Sequence, residues 1–395
     1  MANFTKYKTF GNLILLRNAN KLTFSIYFIL FFVSALTLLA YYFLVFSSIL
    51  KKSRKQLDNQ SFKGNISIVV CGLNEYDNLK KNLPKLLEQC YKFSSKKIEV
   101  VFVNDGSTDQ TCEFLEQLGH KNPQLKIINI SPENKKSGKK SALVKGIELA
   151  TGHVVVLTDA DCQPRSKYWA ACMADNFTDK NIQINLGYAP YNFSNSFVGW
   201  SVLYETTLTA IQYLSYAKKG MPYMGVGRNL AYRKKFFQQK QFSEHPENIS
   251  SGDDDLFVNR YATSHNTSIE IKPEAHCYSN PPKSLKQWIK QKNRHLSTGK
   301  YYKTKHKLLL TLFALAQFTY VACFLLCIFL TDTLMLTLVV FSIKSAFQFC
   351  ILFKTFKKLK RKIAVVILLA MELVQPLYYV FFFQSIFITN KVKWN

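Results

Sequence analysis

The chain has 395 residues, with 52 Lys and Arg against 25 Asp and Glu and a net charge of +27. Hydrophobic residues make up 48% and aromatics 14%, which excludes a disordered chain, since disorder needs low hydrophobicity. A near-zero mean hydropathy averages strongly apolar blocks with a polar middle, and so argues against a wholly soluble protein. The cysteines (Cys71, Cys90, Cys112, Cys162, Cys172, Cys277, Cys323, Cys327 and Cys350) are scattered, without CxxC or paired Cys/His spacing. That pattern speaks against a structural zinc site or a disulfide framework and fits a reducing compartment.

In chain order, an N-terminal flank (1–23) leads into residues 24–50, a run without a charge. At about 1.5 Å per residue this run is long enough to cross ~30 Å of hydrocarbon as a tilted helix. Lys51, Lys52, Arg54 and Lys55 follow it, where a signal peptide would have a small-residue cleavage site. From Asn65 the pattern changes to an alternation of strands and helices. Ile66–Cys71 is a β-branched apolar run, followed by Asn74-Glu75 and a helical stretch with Leu79, Leu83, Leu86 and Leu87. Ile98–Val103 comes next, then the turn Asn104–Asp109, in which Thr108 or Asp109 is expected to cap the following helix. A strand at Leu125–Ile130, a helix at Ser141–Ala150 and a strand at Val154–Thr158 continue the order. This βαβα succession predicts a mostly parallel α/β sheet with helices on both faces and a ligand at the carboxyl ends of the strands. Asn74-Glu75, Asn104-Asp105 and Asp159-Ala160-Asp161 fall at those ends. Asp159 and Asp161, one residue apart in extended chain, point the same way and suit a divalent cation that also holds a diphosphate. The spacing alone is equally that of a turn or a solvated acidic pair. The basic segment Lys135–Lys140 suits phosphates or is a solvated charge run.

Phe197–Tyr216 is apolar at near-helical spacing (Trp200, Tyr204, Leu208, Ile211, Leu214), which reads either as core packing or as a helix on the membrane surface. Gly225-Val-Gly227 lacks the spacing of a dinucleotide fingerprint. Gly252-Asp-Asp-Asp255 and Gln291–His295 precede three further apolar runs: 308–330, 334–353 with Lys344, and 363–388 with Glu372 and Pro376. Four spans place the basic segments 51–55, 300–307 and 354–362 on one side, the cytoplasmic one by the charge rule, although the basic N-terminal flank then lies outside. Lys344 lies ten residues before Lys354 and Glu372 ten after Lys362. In a helical hairpin both stand about 15 Å from the loop, near the bilayer centre, where opposite charges suggest an ion pair. The alternatives are separate polar cavities or a protonated Glu372.

The ordered set Asn74-Glu75, Asn104–Asp109, Gly138-Lys139, Asp159-Ala-Asp161, Gly225–Arg233, Gly252–Asp255 and Gln291–His295 resembles the inverting family 2 glycosyltransferases of the GT-A fold, over about residues 64–300. The membrane runs suit the integral-membrane members of that family. The resemblance implies a cytoplasmic catalytic domain (51–307) in the inner membrane and a nucleoside-diphosphate sugar donor, a UDP-sugar first. It places Asp105 at the uracil or ribose, with Asn74 and Glu75 beside it, and Lys139 on the nucleotide side. Asp159 falls in the ribose and metal region and Asp161 on Mg²⁺ or Mn²⁺. Asp254 corresponds to the general base, with Asp253 as the second choice because the acids are consecutive. Gln291 and Arg294 match the QxxRW motif, whose Arg contacts the leaving diphosphate. His295 stands where the family has Trp, which argues against processive synthesis, although it also reads as a surface histidine. The expected activity is sugar transfer to a lipid-linked or saccharide acceptor in cell-envelope glycan synthesis, among membrane lipids and without nucleic acid. A processive synthase that extrudes its polymer is the nearest alternative. A basic membrane-anchored nucleic-acid-binding or scaffold protein is the rival of another class, supported by net charge alone and by no recognised module.

Overall fold

A strand covered on both faces must be apolar along its whole length, and Ile66–Gly72 (β1) is buried at every residue. The computed structural model describes residues 26–51, 61–91, 98–131, 138–240, 253–329 and 334–383. β1 pairs in parallel with Glu99–Asn104 (β2) on one side and Val154–Asp159 (β4) on the other, and Leu125–Asn129 (β3) flanks β2. The helices between them are Tyr76–Leu87 (α2), Thr111–Lys121 (α3) and Lys139–Leu149 (α4). Leu79, Leu83 and Leu86 of α2 are buried, as their i, i+4, i+7 spacing requires. α3 starts later than the turn chemistry suggests. Gln110 occupies the cap position, and Asp109 contributes by accepting the Thr111 N–H at 3.0 Å. α4 lies so close to the sheet that a Cβ on Gly146 would meet Val69 at 2.7 Å.

The sheet then reverses direction. β4 pairs antiparallel with Leu230–Arg233 (β7), which pairs antiparallel with Ile184–Gly187 (β6), and Thr267–Glu270 (β8) closes the edge in parallel with β6. The full order is β3-β2-β1-β4-β7-β6-β8. Because Leu230 sits opposite Leu157, the residues just before β7 lie beyond the carboxyl end of β4. A small second sheet joins Gln163–Pro164 (β5) to Cys277–Tyr278 (β9). Trp169–Asp175 (α5) is buried against the sheet, and Lys234–Gln239 (α7) follows β7.

Phe197–Lys218 (α6) is mostly buried, including Tyr204, Leu208, Ile211 and Leu214. It is a packed layer between sheet and membrane helices, the first of the two readings its sequence allowed. Ser48 and Ser215 tie it to the end of Ile26–Leu50 (α1). α1, Thr304–Cys327 (α10) and Leu334–Lys358 (α11) are long and apolar enough to cross a membrane. Large apolar side chains such as Val33, Leu315 and Phe347 remain exposed on them, as lipid-facing residues do. The run expected at 363–388 is a helix over Val365–Phe383 (α12) as far as it is described. Residues 384–388 and the N-terminal flank lie outside the described residues. α12 leans on the α/β half: Tyr204 donates to Gln375 at 3.2 Å, and the rings of Trp288 and Tyr378 lie 5.8 Å apart.

Lys344 and Glu372 meet as their depth suggested, Nζ to Oε1 at 2.5 Å with both side chains buried. Ser345 also donates to Oε1 at 3.2 Å, and the Lys344 ammonium stands 4.0 Å over the Tyr320 ring.

Candidate active site

The turns at the carboxyl ends of β1 and β2 are stitched together. Asn74, with φ of 56°, accepts from the Thr108 N–H at 2.8 Å, and its own N–H donates to Ser107 Oγ at 2.9 Å. The left-handed region tolerates Asn better than most residues, so Asn74 shapes the rim of the cleft. Asp105 is buried at the end of β2, with its N–H on Gly72 O at 2.9 Å. Glu75 accepts from Asn78 at 2.6 Å. Burial pushes the Glu75 carboxyl up despite that bond, and the nearby Asp161 and Asp159 push it further.

Asp159 ends β4. The Lys139 ammonium, in the first turn of α4, lies 2.7 Å from its Oδ1. Desolvation would raise the Asp159 carboxyl, but Lys139, then Arg228 and Arg294, outweigh it and hold the group below the usual range. Asp161 goes the other way, raised by burial and by the charge on Asp159. Two carboxylates pushed apart in this way sit where a cation would relieve both.

The ligand atoms of Asp159, Asp161 and Cys162 lie within 4.8 Å of one another. Hard oxygen donors suit Mg²⁺ or Mn²⁺. Burial, Cys277 and the charge on Asp161 keep the Cys162 thiol well above its ordinary range. It therefore stays an S–H, and it donates to Asp161 Oδ1 at 3.2 Å. The residues fit a divalent ion held by the two carboxylates, with Cys162 orienting one of them. Lys135 and Lys136 lie outside the described residues.

The loop before β7 adds a cation that sequence reading did not single out. Arg228 stacks 4.2 Å over the Tyr191 ring and donates to Ser279 Oγ. Its neighbour Gly227 gives its N–H to Asp254 Oδ2. A Cβ on Gly227 would stand 3.0 Å from that oxygen, so a side chain there would press on the Asp254 carboxylate. The N–H that holds Asp254 and the cation beside the Asp159–Asp161 pair thus belong to adjacent residues, Gly227 and Arg228.

The acidic run opens Asp253–Tyr261 (α8), whose helical phase separates the carboxylates. Asp254 faces Gly227, Asp255 points inward, and the side chain of Asp253 lies outside the described residues. Asp255 Oδ2 accepts from Thr298 at 2.6 Å and Tyr302 at 2.8 Å, while its buried Oδ1 has no partner among the described residues. Burial, with Asp254 adding to it, pushes Asp255 up to about 8. An unfolded Asp titrates near 3.9, so the folded state holds the extra proton, and this contribution to stability declines as pH rises from about 4 to about 8. Asp255→Asn keeps an acceptor and adds a donor. Its thermal midpoint is expected to exceed that of the parent at pH 8, with the gap closing below pH 5; a gap independent of pH would refute the buried protonated acid.

Leu285–Leu296 (α9) supplies the last wall. Gln291 donates to the Tyr191 hydroxyl at 2.8 Å, and Lys292 pairs with Glu205 of α6. Arg294 is close enough to Asp159 to lower its carboxyl. His295 is exposed, yet protein around it desolvates the ring, and Lys292 and Arg294 add repulsion. Its imidazole is held well below the usual range and stays neutral. Trp288 is buried with Tyr191, Val202 and Tyr378, so it offers no surface in place of the missing Trp. Of the sequence-predicted residues, Lys139, Arg294 and Glu75 gather around Asp159 and Asp161, Asp254 is held by Gly227 beside Arg228, and the side chain of Asp253 lies outside the described residues. Tyr191 and Arg228 were missed; an Arg straight after Gly-Val-Gly was the available signal for the second, and Tyr191 carries none.

A parallel half-sheet with an acidic pair at its carboxyl edge and an antiparallel return strand defines a GT-A-like transferase. The glycosyl transferase family 2 model matches residues 67–239 and the glycosyl transferase family group 2 model residues 154–383, more than half of the chain. The chain belongs to the family 2 glycosyltransferases. It is 41% identical over 98 residues to a glycosyltransferase of Synechocystis sp., which covers 25% of this chain and 30% of that one. It is 34% identical over 99 residues to the undecaprenyl-phosphate 4-deoxy-4-formamido-L-arabinose transferase of Pectobacterium atrosepticum, covering 25% of this chain and 29% of the relative. The chain thus spans under a third of the length of these curated relatives. The solved mannosyltransferase of Pyrobaculum calidifontis, in complex with GDP-Man and Mn²⁺, is alike in fold at a TM-score of 0.56 and 17% identity, covering 89% of this chain and 99% of that one.

Proposed function

We propose that this chain is a membrane-bound inverting glycosyltransferase that moves a sugar from a nucleoside-diphosphate sugar, a UDP-sugar first, onto a hydroxyl of a lipid-linked saccharide. The observation that carries the reading is the collar of Lys139, Arg228 and Arg294 around Asp159 and Asp161. Such a collar complements a diphosphate bridged to carboxylates by a divalent cation. The relative from Pectobacterium, named for undecaprenyl phosphate, supports a lipid-phosphate carrier on the acceptor side, and the neighbour holding GDP-Man and Mn²⁺ supports the donor class. The three long apolar helices and the basic segments at their ends support a catalytic domain on the cytoplasmic face of the inner membrane.

In this reading Asp105, Glu75 and Asn74 bound the nucleoside end, and Asp159 and Asp161 hold Mg²⁺ or Mn²⁺. The metal, when bound, neutralises charge on the departing nucleoside diphosphate. Arg294 and Arg228 present guanidinium groups to the same phosphates, and Gln291 fixes Tyr191 beneath Arg228. Asp254, oriented by the Gly227 N–H, takes the proton of the acceptor hydroxyl as that oxygen attacks the anomeric carbon from the face opposite the leaving group. A neutral histidine at 295, where the family has Trp, and a buried Trp288 support short products over a growing polymer.

A panel of radiolabelled UDP- and GDP-sugars with native membranes, followed by product sizing, tests this. The expected result is one UDP-sugar labelling a short, lipid-extractable product. Long polymer refutes single addition, and binding of DNA in moderate salt without binding of UDP–Mn²⁺ refutes the enzyme. Asp254→Asn is expected to lower transfer by about 10²–10⁴-fold with UDP affinity unchanged. If Asp253→Asn has that effect in its place, the base is one residue earlier.

A further inference from the structure

The end of α11 and the turn that follows it carry Lys354, Lys357, Lys358, Lys360, Arg361 and Lys362, and all are exposed except Arg361. The turn that redirects this residue is specific. Lys360 has φ of 56°, the Lys360 N–H donates to Lys357 O at 3.1 Å, and the Arg361 N–H donates to Phe356 O at 2.8 Å. These two bonds form a Schellman cap, which normally uses glycine at the left-handed position. Here a lysine takes the strained conformation, and the next residue is aimed back at the catalytic half. Arg361 NH2 donates to the Tyr191 carbonyl at 2.9 Å, whereas its Nε is buried with no hydrogen-bond partner among the described residues. His276 lies close by, but desolvation pushes its imidazole down to about 4, so it adds no competing charge at neutral pH.

Tyr191 separates the two arginines. Arg228 covers its ring and acts on Asp159 and Asp161, and Arg361 holds its carbonyl from the turn between α11 and α12. An anion bound to Arg361 is therefore at that turn, with Tyr191 between it and Arg228. The geometry points to Arg361 as the residue that binds the phosphate of the acceptor's lipid carrier, so that the membrane hairpin completes the acceptor side of the site. A guanidinium with spare donors suits a phosphate in a way an ammonium does not. The assignment rests on the lipid-linked acceptor proposed above.

The test uses the full chain in nanodiscs and four probes: undecaprenyl diphosphate, undecaprenol, inorganic diphosphate and UDP with Mn²⁺. Arg361→Gln is expected to weaken binding of undecaprenyl diphosphate by about tenfold or more, and to leave UDP–Mn²⁺ affinity unchanged. Arg361→Lys is expected to recover part of the loss. On the unsubstituted chain, undecaprenyl diphosphate but not undecaprenol or inorganic diphosphate should protect Arg361 from phenylglyoxal, read by site-resolved mass spectrometry. This readout does not depend on a variant folding. Equal lipid affinity in Arg361→Gln and the parent, or protection by inorganic diphosphate alone, overturns the role of Arg361 and leaves the acceptor reading standing. Failure of the parent chain to bind undecaprenyl diphosphate while it binds UDP–Mn²⁺ overturns the acceptor reading and this assignment together.

Discussion

Asp159→Asn and Asp161→Asn are each expected to lower turnover by more than about a hundredfold, since changes even to groups behind a metal's ligands cost 10–100-fold. The two variants should differ in stability. Asp159 is charged against Lys139 at 2.7 Å, so its amide leaves a half-buried ammonium with a weaker partner. Asp161 is an acid that burial and Asp159 push up, so its amide removes a charge the fold disfavours. Asp161→Asn should therefore be at least as stable as the parent and Asp159→Asn less stable, with both nearly inactive across a Mn²⁺ titration. Full activity of either variant in EDTA would remove the two carboxylates from the chemistry.

The largest stability effect is expected inside the membrane. Lys344 and Glu372 are 1% and 4% exposed, and removing one partner of a buried pair costs about 3–5 kcal/mol because the other charge is stranded. Lys344→Met and Glu372→Gln should each lower the thermal midpoint in detergent, and the double variant should lose less than the sum. Strictly additive losses would show that the two side chains do not depend on each other.

Where the chain was readable from its sequence, the signal was local. β1, β2 and β4 are apolar runs ending in polar residues, and burial on both faces leaves little freedom in where such runs go. The acidic pair at 159 and 161 was visible because it ends one of them. The depth of Lys344 and Glu372 could be counted from a basic loop. The return strands β6, β7 and β8 were not visible: each has four residues, and their pairing depends on segments far apart in the chain. Three consecutive aspartates are identical as sequence, and only the phase of α8 sends Asp254 toward Gly227 and Asp255 inward. Arg361 was hidden among equally basic neighbours, since the left-handed turn at Lys360 singles it out only in three dimensions.

The bonds around α8 have a mechanical meaning. Asp255 accepts from Thr298 and Tyr302, Asn259 accepts the Lys303 N–H at 2.9 Å, and its amide meets His306 at 3.0 Å. These partners straddle the start of α10, so the helix presenting Asp254 is riveted to a helix apolar and long enough to cross a membrane. The α/β half is then not hung on a loose tether. A change in the tilt of α10, such as a bilayer of different thickness imposes, acts through these bonds on α8 and on the contact of Asp254 with Gly227.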